Sequence, residues 1–322
     1  MYVEKERGLR MINSMSEALA INDPEAMQAL EQQVNYSKKQ HKQSNTVVQP
    51  SFRQCTLKQS ISFQGIAQQS QDFVSVTLRP APTNTGIIFR RIDLEPVCII
   101  PATMQSLTAD MLQINFMKQG IYVKGVEHLL STFSGLGIDN AYVDIAGEEL
   151  PILDGSACKF AFLIEAAGIF TQSALKHFIR IKDTVKLSEG DASACIEPYE
   201  GFKVSCAIDD TNLILKEYQI TLSSRAYIKE IVRARHHAVD LERRDFRYQD
   251  EVLRHLVLDL IGHLYTLSFQ IIGSVKIQQT GTLLNYRLIN RLLQQSHAWE
   301  YVTFQHGRYS TQYAHPMISS AI

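Results

Sequence analysis

The chain has no run of eighteen or more apolar residues, so no segment is expected to cross a membrane as a helix, and any membrane contact would be peripheral. Cysteine is sparse: Cys55, Cys98, Cys158, Cys195 and Cys206 are odd in number and scattered, with no Cys-x-x-Cys spacing. That pattern argues against a disulfide scaffold and a cysteine-ligated metal, and suits reduced thiols in a cytoplasmic protein. An excess of charge is lacking too. The net charge of −1 gives no overall attraction to nucleic acid. The arginines 233, 235, 243, 244, 247 and 254 are interleaved with Asp240, Glu242, Asp245, Asp250 and Glu251, as on a solvated face. The opening Met1-Tyr2-Val3-Glu4-Lys5-Glu6-Arg7 has no apolar core after it and does not read as a secretory signal. What is present is ordinary: 322 residues, 45% hydrophobic and 20% charged, enough for two cores of normal size.

Against this background two short patterns carry chemistry. His255 and Asp259 are four apart in a segment with helical periodicity, so their side chains share a face and can reach one ion. Glu127-His128 lies far upstream; His128 would complete three protein ligands with a fourth position open, the arrangement of a catalytic zinc. Glu127, next to a ligand, is then placed to take a proton from an attacking water. Spacing alone is also met by an amphipathic helix that carries a histidine on its surface or in its core. His263 continues the same face at i+8 from His255, about 12 Å along the axis, too far to ligate the same ion.

Longer motifs surround these residues. They are Leu78-Arg79-Pro80-Ala81-Pro82 with Asn84-Thr85-Gly86; Gly125-Val126-Glu127-His128-Leu129-Leu130; Gly135-Leu136-Gly137-Ile138-Asp139-Asn140; and Glu149-Leu150-Pro151-Ile152-Leu153-Asp154-Gly155-Ser156-Ala157. Further along come Arg233-Ala234-Arg235, Arg254-His255, Leu258-Asp259 with Ile261-Gly262, and Ala298-Trp299-Glu300-Tyr301-Val302-Thr303-Phe304-Gln305. In this order, over residues 52 to 305, the chain resembles the UDP-3-O-acyl-N-acetylglucosamine deacetylases, the zinc amidases of lipid A biosynthesis. The resemblance implies an α+β fold of two similar domains, each a sheet with packed helices, the helices sandwiched between the two sheets. It implies zinc on His128, His255 and Asp259, Glu127 as general base, and substrate contacts from Met111, Arg235 and Asn285. It also implies a UDP-amino-sugar as the small-molecule partner.

The chain departs from that family at defined places. Leu256 stands where the family has a lysine, Thr282 where it has its general-acid histidine, His236 for a threonine that holds the oxyanion, and His263 for the aspartate that supports the acid. Gln113 and Gln69 replace a cysteine and a histidine. Residues 236 to 254 replace a longer insert that lines the acyl passage. These departures imply a divergent deacetylase, weak or altered in substrate, with His236 or His263 as a relocated acid; the alternative is a zinc-binding, catalytically impaired paralogue acting by binding.

Four pieces are expected: an extension over 1–51, a first domain over 52–172, a second over 173–305 and a tail over 306–322. In the extension Asp23 can cap a helix starting at Pro24, with Met27, Leu30 and Val34 at helical spacing; a regulatory protein partner could dock through the termini. Within the domains, helices are expected over Glu127–Ser134, ended by Gly135, over Ala157–Ala167, capped by Asp154, and over Ala226–Ala234, Asp250–Leu267 and Leu283–Gln294. Trp299 is expected as a core anchor.

Overall fold

A computed structural model describes residues 52–109, 113–209, 215–235, 246–279 and 282–305, and the backbone of 308–311. The expected helix at Asp23–Val34 lies outside the described residues, as do Met111 and His236. The fold is α+β. In the first half a five-stranded sheet has the order Ile61–Ile66, Phe73–Pro80, Ala141–Ala146, Ile87–Arg91, Cys98–Pro101. A small three-stranded sheet, Leu107–Ala109, Ile114–Lys118 and Ile121–Lys124, follows it. In the second half an eight-stranded sheet is built around Gln270–Gln278, which pairs in parallel with His177–Ile181 and with Phe202–Asp209. Phe73–Pro80 reads as a strand because Val74, Val76 and Leu78 alternate inward, and all three are buried.

Arg53–Leu57 pairs antiparallel with Ile169–Leu175, so the expected boundary between residues 172 and 173 falls inside a strand. At the other end Arg308–Thr311 pairs with Trp299–Gln305, and the second sheet continues past residue 305.

Five helices complete the described fold: α1 Glu127–Leu136, α2 Cys158–Ala167, α3 Ser224–Glu230, α4 Glu251–Tyr265 and α5 Thr282–Gln294. Their ends correct several expectations. α1 does not stop at Gly135; it ends at Gly137, which takes the left-handed conformation at φ 75°. Gly135 is needed for another reason: a Cβ there would lie 2.3 Å from the buried Tyr227 ring. Asp154 does not cap α2, because its carboxylate accepts from Ser156 and from Arg247, and Ser156 Oγ accepts from the Cys158 N–H at 3.2 Å instead. α3 begins earlier than expected because Ser223 Oγ caps it, accepting from the Ala226 N–H at 3.1 Å.

α1 and α4 pack on each other, and α4 also lies against Phe202–Asp209 of the second sheet. One apolar core runs through both sheets and the helices between them. The helix contact is unusually close, since a Cβ on Gly262 would meet the Glu127 carbonyl oxygen at 2.2 Å. Only glycine permits it. The start of α1 is thereby held against the C-terminal half of α4, which sets the candidate site.

Candidate metal centre

His128 sits in the first turn of α1, and its carbonyl accepts from Thr132 Oγ1 at 2.7 Å. His255 and Asp259 lie one turn apart on α4. Across the helix contact the Nε2 atoms of His128 and His255 are 3.1 Å apart. Asp259 Oδ1 is 3.3 Å from His128 Nε2, and Asp259 Oδ2 is 3.3 Å from His255 Nδ1. One ligand atom from each residue lies within 4.8 Å of the others. Metal–ligand bonds of about 2.0–2.1 Å put neighbouring corners of a tetrahedron roughly 3.3 Å apart, so the donor set fits a zinc ion. The buried Asp259 Oδ1 makes no hydrogen bond and is available to one.

The electrostatics agree with a cation between these groups. Burial opposes ionisation of Asp259, but the His255 and His128 imidazoles outweigh it and hold the carboxyl well below its usual range. Burial likewise opposes charge on His128, yet the Asp259 carboxylate holds that imidazole above its ordinary value.

Glu127 is the opposite case. Its Oε2 is sealed from solvent and makes no hydrogen bond. Burial first, and then the charge of Asp259, push its carboxyl up to about 7. A carboxylate with an unoccupied oxygen and a pKa near neutrality, beside a metal ligand, can take up and release a proton.

The other expected residues are placed as follows. His263 is buried, and burial pushes it down to about 4, so its ring is neutral near pH 7. Asn285 Nδ2 lies 2.8 Å from His263 Nδ1. The amide and the ring Nδ1 are thus in hydrogen-bond contact. Arg235 is engaged by Glu251: its backbone N–H and Nε reach Oε1 at 3.0 and 2.9 Å, and Nη2 reaches Oε2 at 3.2 Å. Leu256 is partly buried against the core, and Thr282 opens α5.

Two residues were not found by sequence reasoning. Glu251 also accepts from the Arg247 N–H at 2.7 Å, so one carboxylate holds the chain on both sides of residues 236–245. Its i, i+4 spacing to His255 was the available signal. Asp154 accepts from both terminal nitrogens of Arg247 at 3.0 Å, which ties the first half to the second beside the site.

Comparison with known proteins gives one consistent result. A family profile described as UDP-3-O-acyl N-acetylglycosamine deacetylase matches residues 54–243 and 239–294. A protein named UDP-3-O-acyl-N-acetylglucosamine deacetylase from Hahella chejuensis is 39% identical over 301 residues, covering 83% of this chain and all of that relative. Proteins of the same name from Coxiella burnetii and Marinobacter nauticus are 40% and 41% identical, each covering 79% of this chain and 94% of the relative.

Proposed function

The chain belongs to the UDP-3-O-acyl N-acetylglycosamine deacetylase family, and from that premise we propose that it is a zinc-dependent deacetylase of the lipid A pathway, removing the N-acetyl group of a UDP-3-O-acyl-glucosamine-type sugar nucleotide. The observation that carries this reading is the meeting of His128, His255 and Asp259 beside the unpartnered Oε2 of Glu127. His128, His255 and Asp259 would hold zinc, which when bound supplies Lewis acidity toward water and the amide carbonyl. Glu127 takes the proton of the attacking water at Oε2. His236 is the acid we favour for the leaving amine, and His263 ranks second. All five cysteines are free thiols, which supports a reducing, cytoplasmic setting. Among the described residues no helix is long and apolar enough to cross a membrane.

We further propose that the reaction is slow or altered in substrate. A threonine hydroxyl at Thr282 is too weak an acid for a leaving amine, and general acid catalysis is typically worth about 10² to 10⁴ in rate. Leu256 cannot stabilise a developing negative charge, and losing one such contact costs on the order of 10² to 10³. These factors need not multiply. The two profile matches overlap at 239–243, and the 301-position alignment uses 83% of 322 residues, about 267. The overlap supports a deletion between Arg235 and Arg254, and the alignment length supports additional chain in the relative. Burying a methylene is worth about 0.8 kcal/mol, so a shortened wall there favours short acyl groups.

Leu256 and Thr282 also support a second reading, a zinc-binding paralogue that acts by binding and meets a regulator through its termini. Acetate release measured against acyl length separates the two. We expect release that is largest for a short acyl group and lost in Glu127→Ala; no release from zinc-loaded protein at any length leaves the binding reading.

A further inference from the structure

We infer that a cleft at the far end of the helix pair is a second ligand site, for a single-chain amphiphile with an uncharged head group. The cleft has a volume of about 510 Å³, within the ~300–1,000 Å³ of small-molecule sites, and it lies between the two halves of the molecule, where such sites concentrate. None of its lining residues belongs to the metal centre. It is bounded by Asp139 and Asn140, beyond the end of α1, and by Leu267, Ser268 and Phe269, beyond the end of α4. At about 1.5 Å per residue, His128 stands about 12 Å from the end of α1 and Asp259 about 9 Å from the end of α4, and the cleft lies beyond both ends. The site therefore does not depend on the deacetylase reading.

Its lining selects the ligand. One run of rings leads along the cleft: His177 against Phe269 at 6.0 Å, Phe269 against Tyr301 at 5.2 Å and Tyr301 against Trp299 at 5.2 Å, with interplanar angles of 73°, 75° and 85°. Rings set edge to face in succession make a corrugated wall. A flexible chain follows such a surface, whereas one flat ring stacks on a single member. The rest of the apolar lining is aliphatic, with Ile88 and Met104 from the first half and Leu293 from the second, all partly buried. At about 30 Å³ for a water-sized group, the space holds roughly seventeen such groups, enough for a twelve-carbon chain and part of its head group.

The polar lining excludes a charged head. Among the described residues there is no lysine or arginine in the lining, and its one carboxylate, Asp139, is already held by Lys176 at 3.1 Å and by the Cys55 N–H at 2.6 Å. An anionic head would have to compete with that carboxylate for Lys176 and for the His177 imidazole, which both face it. Gln54, Asn84 and Asn140 bond one another, and the exposed amides of Asn84 and Gln105 offer uncharged contacts to hydroxyl groups.

The chain's single tryptophan, Trp299, forms part of the wall, so its fluorescence reports occupancy. The zinc-loaded full-length protein is titrated with 1-monolauroylglycerol below its aggregation concentration, in parallel with laurate and with uridine. We expect a saturable change with monolauroylglycerol, at least tenfold weaker binding of laurate, and none with uridine. Phe269→Ala, which removes the central ring, and Ile88→Phe, which fills the cleft, each weaken binding tenfold or more. No saturable change with monolauroylglycerol overturns the inference, as does unchanged affinity in the folded variants. Laurate binding equally well overturns the uncharged head, and binding of uridine alone overturns the chain.

Discussion

Glu127 and Glu251 are each the first residue of a helix, one in each half of the molecule, and they meet opposite fates. Glu251 is 2% exposed, and both its oxygens accept hydrogen bonds, from Arg235 and from the Arg247 backbone. Burial alone would raise its pKa, but those donors outweigh it and hold the carboxyl below the usual range. Glu127 also carries a burial penalty but has no donor to Oε2, and its carboxyl is pushed up to about 7. The difference separates a fastening from a tool. A buried carboxylate with every lone pair used contributes to stability and cannot exchange a proton cheaply, whereas one left unpartnered costs stability and is ready for chemistry.

The largest way to test this comparison is to remove what Glu127 faces. His128→Ala and Asp259→Ala are each expected to lose the zinc of the parent, about one per chain by elemental analysis, and to lower turnover to background. Equal zinc in all three proteins would break the assignment of the centre. The next effect is on stability. Glu251→Gln leaves Arg235 facing a neutral group and is expected to cost about 2–4 kcal/mol in urea unfolding, with zinc retained.

The two glutamates should also differ in sign with pH. In metal-free protein the folded pKa of Glu127 lies above its ordinary value of 4.5, so the folded state binds more protons and the stability from this group falls as pH rises from about 4.5 to 7. For Glu251 the folded pKa is lowered, so its stabilisation is present above its unfolded value and is lost as pH falls through the folded one. Unfolding of metal-free Glu127→Gln against pH should lack the first slope, while Glu251→Gln should lack the acid limb. Identical profiles for the two variants would erase the distinction.

Smaller effects sharpen the geometry. Gly262→Ala must separate α4 from the Glu127 backbone and is expected to cost about 1–3 kcal/mol, with a loss of turnover larger than the loss of fold. Thr282→His, the smallest, should change turnover less than tenfold, because the acid would return without the charge missing at Leu256.

Much of this was legible in the residues. The donor set was visible because a helix repeats near every fourth residue, which aligns His255 with Asp259, and because Glu127-His128 is contiguous. The helices of the core were legible from the same periodicity, and Val74, Val76 and Leu78 showed a strand. Helix ends were less so. Gly135 and Gly137 are equally good stop signals, and only the Tyr227 ring decides that the first is a packing residue. Asp154 looked like a cap, and a distant arginine claims it. Glu251 was hidden because its partners are the backbone and side chain of a segment folded back from earlier in the chain. The cleft was invisible, since its walls come from separate segments that only the tertiary fold assembles.

The most direct measurement is acetate release from a UDP-3-O-acyl-N-acetylglucosamine by parent and Glu127→Gln protein at matched zinc content. The account predicts measurable turnover in the parent and, in Glu127→Gln, the same zinc with turnover lower by about 10² to 10⁴. Turnover within a few-fold of the parent in the zinc-loaded variant would contradict it.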